Sequence, residues 1–401
     1  MRNAFPVAFP DELLASVMAR FRHEYPSFFE KDIPSHLRRR GAQYNRWAYE
    51  LKQVEVIWPR ILSIYPIKTI PQFAEEHTLY LLFKPFWAAD IWEKLHQEYD
   101  FWNYQTSKLR EIPIDCLNID DSITYKFCPT CATEDWWNHG AAYWHRIHNI
   151  WGVSVCPHHK VRLIDTQFRI NEAEKLLPAE EFIKDEEFPV QPLSDDSEQD
   201  QLDLYIVEAM SWLLNHAGPL EPGRVAEQYD LLYASYGIDR FLDGHLVEWV
   251  WKNCLPNQEI RLCLPDTIDK DSPFYFSSTA YFFPRPTTHT PHPTIHIINW
   301  LAWGFTPEEF LNFDGDWSQR TLKLTRPRPC QNKACTHYGQ NLITHTTIEK
   351  QEISSQQPHQ KLGINVYDEY GFFYTLTCPI CQSNYTQEIE SAQHYEPNRT
   401  P

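Results

Sequence analysis

The sequence has little glycine, no excess of positive charge and no long apolar runs. Its 401 residues include 12 glycines, with neither a G-x-x-x-x-G-K-[ST] loop nor a G-x-G-x-x-G turn, which argues against Gly-rich nucleotide-binding folds. No apolar run reaches about 18 residues, so we expect no membrane span. The N-terminus lacks the basic and apolar regions of a secretory signal. These absences predict a cytoplasmic chain without a membrane partner.

The formal net charge of −18 has the wrong sign for a protein that holds duplex DNA mainly by itself. About half of the deficit comes from residues 172–200, which hold eleven acidic residues and two lysines. The densest basic run is Arg38, Arg39 and Arg40, followed by aromatic residues. It is a candidate for contact with phosphate or nucleoprotein, although such a run is more often a solvated helix end. Either a local basic patch contacts DNA, or other proteins hold the chain.

Cysteine is plentiful, with ten residues. Most of them lie in short motifs in which two possible metal ligands are a few residues apart, and we call each such motif a knuckle. The first set is Cys128-x2-Cys131 followed by Cys156-x2-His159, which can place three thiolates and one imidazole around a metal ion. Soft thiolate ligands favour zinc, and four protein ligands indicate a structural site. His158 is the alternative to His159, and the C-x2-H spacing favours His159. In a cytosolic chain such pairs indicate metal sites rather than disulfides.

A second cysteine set lies near the C-terminus and predicts a zinc ribbon, giving two Zn²⁺ ions per chain. Strand-like stretches at Leu342–Ile348 and Gly371–Thr377 fill the loop between its two knuckles. The four ligands are Cys330, Cys335, Cys378 and Cys381. We interpret Cys116 as a core thiol and leave Cys254 and Cys263 out of any site.

Helical patterns dominate the remaining chain. Asp11 suits an N-cap, and Leu13, Leu14, Val17, Met18 and Phe21 then share one helical face. Residues 224–236 and 239–253 flank a turn at Gly237 and form either a helix-turn-helix or plain helical packing. Thr306, Pro307 and Glu309 predict a capping box. The fold class is mainly α, with small β zinc-ribbon elements. We predict an N-terminal domain at 1–165, an acidic linker at 166–200, a helical (helix-turn-helix-like) domain at 201–320, a zinc-ribbon module at 321–390 and a tail at 391–401.

Several stretches resemble the TniQ/TnsD family of transposon target-selection proteins. The resemblance is sharpest around the first knuckles, which read C-P-T-C at 128–131, Y-W-H-R-I-H-N at 143–149 and G-V-S-V-C-P-H-H at 152–159. Only Asn149 departs from the family pattern, which has Gln there. Similar phrases are F-P-V-A-F-P-D-E-L-L at 5–14, E-H-T-L-Y at 76–80 and P-C-Q-N-K-A-C at 329–335.

The resemblance implies a non-catalytic adaptor for DNA transposition in the bacterial cytoplasm. Long TnsD proteins continue into further DNA-reading domains, whereas this sequence stops about twenty residues after Cys381. Together with the acidic charge, this favours a TniQ of a CRISPR-associated transposon. Its implied partners are Cascade subunits with guide RNA, the AAA+ ATPase TnsC, target DNA directly or through those partners, and a second copy of the chain.

Two other functions remain open from the sequence. One is a TnsD-like DNA-binding protein that recognises a fixed attachment site and recruits TnsC. The other is a metal-dependent nuclease built on His145 and His148, which would need an open metal position or a general base. We expect no catalytic residues.

Overall fold

A computed structural model describes most of the chain as two compact units. The first comprises Met1–Val225, Arg261–Thr267 and Pro284–Ile297, and the second comprises Ala226–Ile260, Ile268–Phe283 and Ile298–Pro401. The residues described are 5–32, 70–87, 89, 93, 124–169, 178–183, 188–217, 220–237, 244–255, 293–317, 320–352, 359–361, 364–366 and 370–389.

Helices and sheets both contribute to the described residues. The α-helices are α1 (Leu14–Glu24), α2 (Pro26–Asp32), α3 (Ile70–His77), α4 (Pro129–His139), α5 (Glu180–Ile183), α6 (Glu198–His216), α7 (Arg224–Tyr236), α8 (Gly244–Cys254), α9 (Pro293–Ala302) and α10 (Pro307–Asn312). Two 3-10 helices cover Tyr80–Phe86 and Ile147–Asn149. The strands are β1 (Thr124–Phe127), β2 (Ile164–Arg169), β3 (Thr321–Pro329), β4 (Asn341–Glu352), β5 (His359–Lys361), β6 (Ile364–Val366), β7 (Tyr370–Thr377) and β8 (Asn384–Glu388).

Helix α1 buries the face that its sequence predicts. Leu14, Val17, Met18 and Phe21 are all fully buried. The prediction that Asp11 caps this helix is wrong. Leu13 is the N-cap and its side chain makes no capping hydrogen bond.

Asp11 instead adopts a positive φ of 55° and binds a distant segment. Its carboxylate accepts from Arg146 Nε at 2.9 Å and from the Ile147 backbone N–H at 3.3 Å. Backbone hydrogen bonds from Leu13 N–H to the Trp144 carbonyl (2.8 Å) and from Arg146 N–H to the Asp11 carbonyl (2.9 Å) complete the pairing. The start of the chain is therefore tied to the segment between the first two knuckles.

Arg146 also ties in a third segment. Its Nη1 donates to the Glu75 carbonyl at 2.5 Å and to the Thr78 carbonyl at 3.2 Å, at the end of α3. His77 lies in the same place, with Nδ1 2.9 Å from the Glu12 carbonyl oxygen. Three segments that are far apart in the sequence thus meet in one buried polar network. A buried guanidinium has five N–H donors and needs several acceptors, which these segments provide.

The residues that follow the first two knuckles pack against them. Val161 bridges to Pro192, and the Arg162 N–H donates to the Gln191 carbonyl at 2.9 Å. The Arg162 guanidinium pairs with Asp200 and Asp203, both in the first turns of α6. Described parts of the acidic stretch are therefore attached to the finger through these contacts.

In the second unit, aromatic side chains form the core around α10. Trp300, Trp303, Phe305, Phe310 and Trp317 are all buried. The predicted capping box is confirmed: Thr306 Oγ1 accepts from the Glu309 N–H at 3.2 Å, and Glu309 Oε2 accepts from the Thr306 N–H at 2.9 Å.

Helices α7 and α8 lie on either side of Gly237, which has φ 62°. The residues between Gly237 and α8 lie outside the described part of the chain, so the helix-turn-helix stays a prediction. Trp249 of α8 packs on Tyr374 of β7 with ring centroids 4.6 Å apart. This contact places α8 against one face of the sheet.

The main sheet is antiparallel, in the order β3-β4-β7-β8. The strands predicted at Leu342–Ile348 and Gly371–Thr377 lie inside β4 and β7. Strand β3 pairs with β4 and lies at the edge, with an irregular register between Lys323 and Arg328. The knuckle after β3 and the turn after β7 lie at the same end of the sheet.

Candidate metal centres

Local backbone structure presents the first two thiols of the N-terminal centre. Cys128 is the N-cap of α4, and its Sγ accepts from the Cys131 N–H at 3.5 Å. Pro129 follows at the first helical position, where its missing N–H costs nothing. Gly140 ends α4 in the left-handed conformation, with φ 75°.

The second knuckle brings the remaining two ligand atoms to the same point. Lys160 takes a positive φ of 51°, and the Cys156 N–H donates to the Val161 carbonyl at 2.9 Å, which makes a tight turn. The ligand atoms of Cys128, Cys131, Cys156 and His159 all lie within 4.8 Å of one another.

The spacing of these atoms fits a tetrahedral ion. Cys131 Sγ lies 3.7 Å from Cys156 Sγ, and His159 Nδ1 lies 3.5, 3.3 and 3.7 Å from the sulfurs of Cys128, Cys131 and Cys156. Zinc–sulfur bonds of about 2.3 Å and a zinc–nitrogen bond of about 2.0 Å place tetrahedral ligands roughly 3.8 Å apart for two sulfurs and roughly 3.6 Å apart for sulfur and nitrogen.

His159 rather than His158 takes part in this cluster. Its Nδ1 faces the sulfurs, while Nε2 lies 3.1 Å from Glu134 Oε1 on α4. A carboxylate on the far nitrogen fixes the ring orientation of a metal-binding histidine and increases its basicity. His158 is exposed and is not among the clustered residues. Glu134 was not predicted; its place on α4, one turn beyond Cys131, is the signal that could have identified it.

The charge state of the three thiols bears on what this cluster can bind. The hydrogen bond to Cys128 raises the pKa of the Cys156 thiol to about 11, and the hydrogen bond from Cys131 lowers the pKa of Cys128. The pKa of Cys131 is raised because its thiol hydrogen-bonds the Cys128 sulfur. Three thiolates in mutual contact repel one another, so a bound cation is what allows all three to be charged.

Two buried histidines, His148 and His145, lie close to this centre. His148 is fully buried, with Nε2 3.9 Å from Cys131 Sγ. Burial and the charge of His145 lower the pKa of His148 to about 3, so its ring is neutral.

The pKa of His145 is shifted in the opposite direction. Burial would lower its pKa, but hydrogen bonds to Asp11 and Asp135 outweigh that effect and raise the pKa to about 9. His145 Nε2 lies 2.9 Å from Asp135 Oδ2. Both histidines are enclosed in the fold, which gives them a structural role and argues against the nuclease hypothesis.

The second centre brings together the knuckle after β3 and the turn after β7. The Sγ atoms of Cys330, Cys335, Cys378 and Cys381 lie within 4.8 Å of one another, with Cys330 and Cys381 3.8 Å apart. Tight turns surround it: the Cys378 N–H donates to the Ser383 carbonyl and the Gln382 N–H to the Cys378 carbonyl, both at 3.0 Å.

Polar groups around the second centre stabilise thiolate charge. Asn332 Nδ2 donates to Cys381 Sγ at 3.6 Å, and the His337 N–H donates to Cys335 Sγ at 3.4 Å. Hydrogen bonds with Ser383 lower the pKa of Cys381 to about 6. The set of donors therefore fits four thiolates around one metal ion, although Asn332 and Ser383 were not among the predicted site residues.

The other predicted residues fall elsewhere. Arg38, Arg39 and Arg40 lie outside the described residues, as do Cys116 and Cys263. Cys254 is buried in α8, and burial raises its pKa to about 12, so it is a core thiol.

The described residues contain two cysteine-rich clusters, each made of four side chains that could hold a metal ion. Residues 4–163 match the family model of TniQ. The chain therefore carries a TniQ domain over residues 4–163, which supports a general role in target selection for transposition. No curated protein is significantly similar to the chain.

Members of the TniQ family are in general non-catalytic transposition adaptors that interact with TnsC and target DNA. The matched region ends at Leu163, so it contains all four residues of the first centre. Among the described helices, none has the length and apolar character needed to cross a membrane.

Proposed function

We propose that this chain is a non-catalytic adaptor that links an RNA-guided Cascade complex at target DNA to the AAA+ regulator TnsC. The observation that carries the proposal is the closed geometry of both centres within a chain that carries a TniQ domain. A centre with four protein ligands leaves no position for water or substrate, so it suits a docking scaffold rather than bond chemistry.

We propose zinc as the metal, with two ions per chain. Three thiolates with one imidazole, and four thiolates, are the usual ligand sets of structural zinc sites. When bound, zinc supplies a cross-link between knuckles, and in small modules such sites contribute on the order of 10–16 kcal/mol to folding. In this chain Cys128 and Cys131 hold the start of α4, while Glu134 orients His159.

Helix α4 offers a rigid surface for a protein partner. Trp137 is 85% exposed and its neighbour Trp136 is 44% exposed. The first turn of α4 is fixed by the metal ligands, and its last residue, His139, stacks on Phe9 with ring centroids 4.8 Å apart. Tryptophan is enriched among residues that dominate protein–protein binding energy, so we propose this pair as a docking anchor.

Capture of purified partners tests the adaptor proposal. The immobilised, zinc-loaded chain is offered guide-loaded Cascade and TnsC in separate experiments, and we expect it to bind both. Trp136→Ala combined with Trp137→Ala is expected to weaken one of the two by about 30-fold, since a hot-spot residue contributes about 2 kcal/mol or more. Leu231→Ala, which truncates another exposed apolar side chain, serves as the control.

Two outcomes would overturn this proposal. If the wild-type chain captures neither Cascade nor TnsC, it is not this adaptor. If the isolated chain instead shifts one duplex DNA sequence tightly and others weakly, it is a TnsD-like selector that recognises a fixed attachment site.

A further inference from the structure

The second unit contains a stretch whose charge contrasts with the rest of the chain. Residues 317–348 include no Asp or Glu, in a protein with 54 acidic residues and a net charge of −18. The same stretch carries five basic residues, which are Arg320, Lys323, Arg326, Arg328 and Lys333. It covers β3, the first knuckle of the second metal centre and the beginning of β4.

Three of these basic side chains are exposed. Lys323 and Arg326 lie on β3, and Lys333 lies in the knuckle between Cys330 and Cys335. Among the described residues, none of the three forms an ion pair with an acidic group. Strand β3 is an edge strand, so one of its two edges has no neighbouring strand among the described residues, and the backbone there is accessible beside these exposed side chains.

The backbone beneath these side chains is firmly held. Arg328 Nη2 donates to Asn253 Oδ1 at 2.7 Å, and Thr325 Oγ1 donates to the Asn253 carbonyl at 3.0 Å. Both bonds attach β3 to the end of α8. The knuckle that carries Lys333 lies against the turn after β7, where the sulfurs of Cys330, Cys335, Cys378 and Cys381 come within 4.8 Å of one another. Cations on a backbone that is held in place lose less conformational freedom on binding than cations on a mobile loop.

The chemistry of these exposed side chains favours a duplex polyanion. The exposed side chains of β3 are Thr, Lys, Arg and Pro, without an aromatic ring on which unpaired bases could stack. Lysine and arginine on a backbone-tracking surface contact phosphates and do not read sequence. A target-selection protein works at duplex DNA, which makes that duplex the partner that this charge pattern fits.

We propose that β3 and the Cys330–Cys335 knuckle bind the phosphate backbone of duplex target DNA without reading its sequence. This inference rests on the target-selection role and deepens the proposed function, but it does not depend on Cascade or TnsC. It places the DNA contact of an acidic protein on one local basic surface of the second unit.

Salt-dependent binding to a random-sequence duplex tests the inference with the full, zinc-loaded chain. Each lost phosphate contact reduces the slope of log K against log salt by about 0.9 in magnitude. Lys323→Gln combined with Arg326→Gln should therefore reduce the slope by about 1.8 and weaken binding roughly 50-fold at 0.1 M salt. Lys333→Gln alone, on the knuckle, should reduce the slope by about half of that.

Arg22→Gln combined with Arg224→Gln is the matched control, because it removes the same charge from the first unit. A patch variant that binds DNA as the control does would overturn the inference, as would a wild-type chain that binds duplex RNA more tightly than duplex DNA. If the patch variant loses DNA binding but still captures Cascade and TnsC, the inference is supported. If the wild-type chain binds duplex DNA but captures neither Cascade nor TnsC, the proposed adaptor function is wrong and the inference about DNA binding stands.

Discussion

A buried ion pair between Glu12 and Arg20 provides a sharp test of how the N-terminal unit is held. The guanidinium binds the carboxylate through two bonds, Nη2 to Oε2 at 2.7 Å and Nε to Oε1 at 2.9 Å. The Glu12 side chain is fully buried and that of Arg20 is 8% exposed. Arg20 also donates to the Val7 carbonyl at 2.6 Å and lies over the Phe9 ring, 4.2 Å from its centroid.

Arg20→Met should destabilise the first unit by about 3–5 kcal/mol. The substitution keeps a long apolar side chain but leaves the Glu12 carboxylate buried without its cation, and that uncompensated charge is the main cost. Glu12→Gln added to Arg20→Met removes the charge and should restore a large part of the loss. The amide that replaces the carboxylate can still accept from the Phe9 N–H, which donates to Glu12 Oε2 at 2.9 Å in the native chain.

Hydrogen exchange of the α1 peptide, followed by mass spectrometry under native conditions, measures this loss. The expected change is an increase in the exchange rate of about 100-fold or more for Arg20→Met, since 1.4 kcal/mol corresponds to a factor of ten. Arg22→Met, on the same helix but partly exposed, is the control and should change exchange little. The reasoning is refuted if both single variants behave alike, or if the double variant is no more stable than Arg20→Met.

Two further changes test neighbouring features of the same unit. Gly152→Ala would place a Cβ 2.7 Å from Thr294 Cγ2 at a backbone φ of 83°, so we expect a loss of about 2 kcal/mol in urea unfolding, partly recovered by Thr294→Ser. For His145, the folded pKa of about 9 exceeds the ordinary 6.5, so its stabilising effect is complete below pH 6.5 and is lost as the pH rises to about 9. His145→Asn should therefore flatten the fall in melting temperature across that range; an unchanged pH profile would contradict the pairing with Asp11 and Asp135.

The clustering of the candidate metal ligands could be predicted from the sequence because each knuckle is a local structure. Cys128 and Cys131 lie three residues apart at a helix start, and the spacing alone brings their sulfurs together. The capping box at Thr306 and Glu309 is local in the same way. The strands between the second pair of knuckles also followed from their composition, since aromatic and β-branched residues suit a pleated sheet.

The polar network of the first unit could not be predicted, because its partners are far apart in the sequence. A local rule assigned Asp11 to a helix cap, while the fold uses its carboxylate to bind Arg146 across 135 positions. The same holds for His77 and Glu12, which are separated by 65 positions. The family resemblance marked all of these phrases, but it did not say that they touch.

The central claim is that two four-ligand zinc centres stabilise a non-catalytic scaffold for target selection. The most direct test is elemental analysis of the purified chain, with protein concentration measured independently. The account predicts two zinc ions per chain. Fewer than about one and a half zinc ions per chain, or a different metal in either centre, would contradict it.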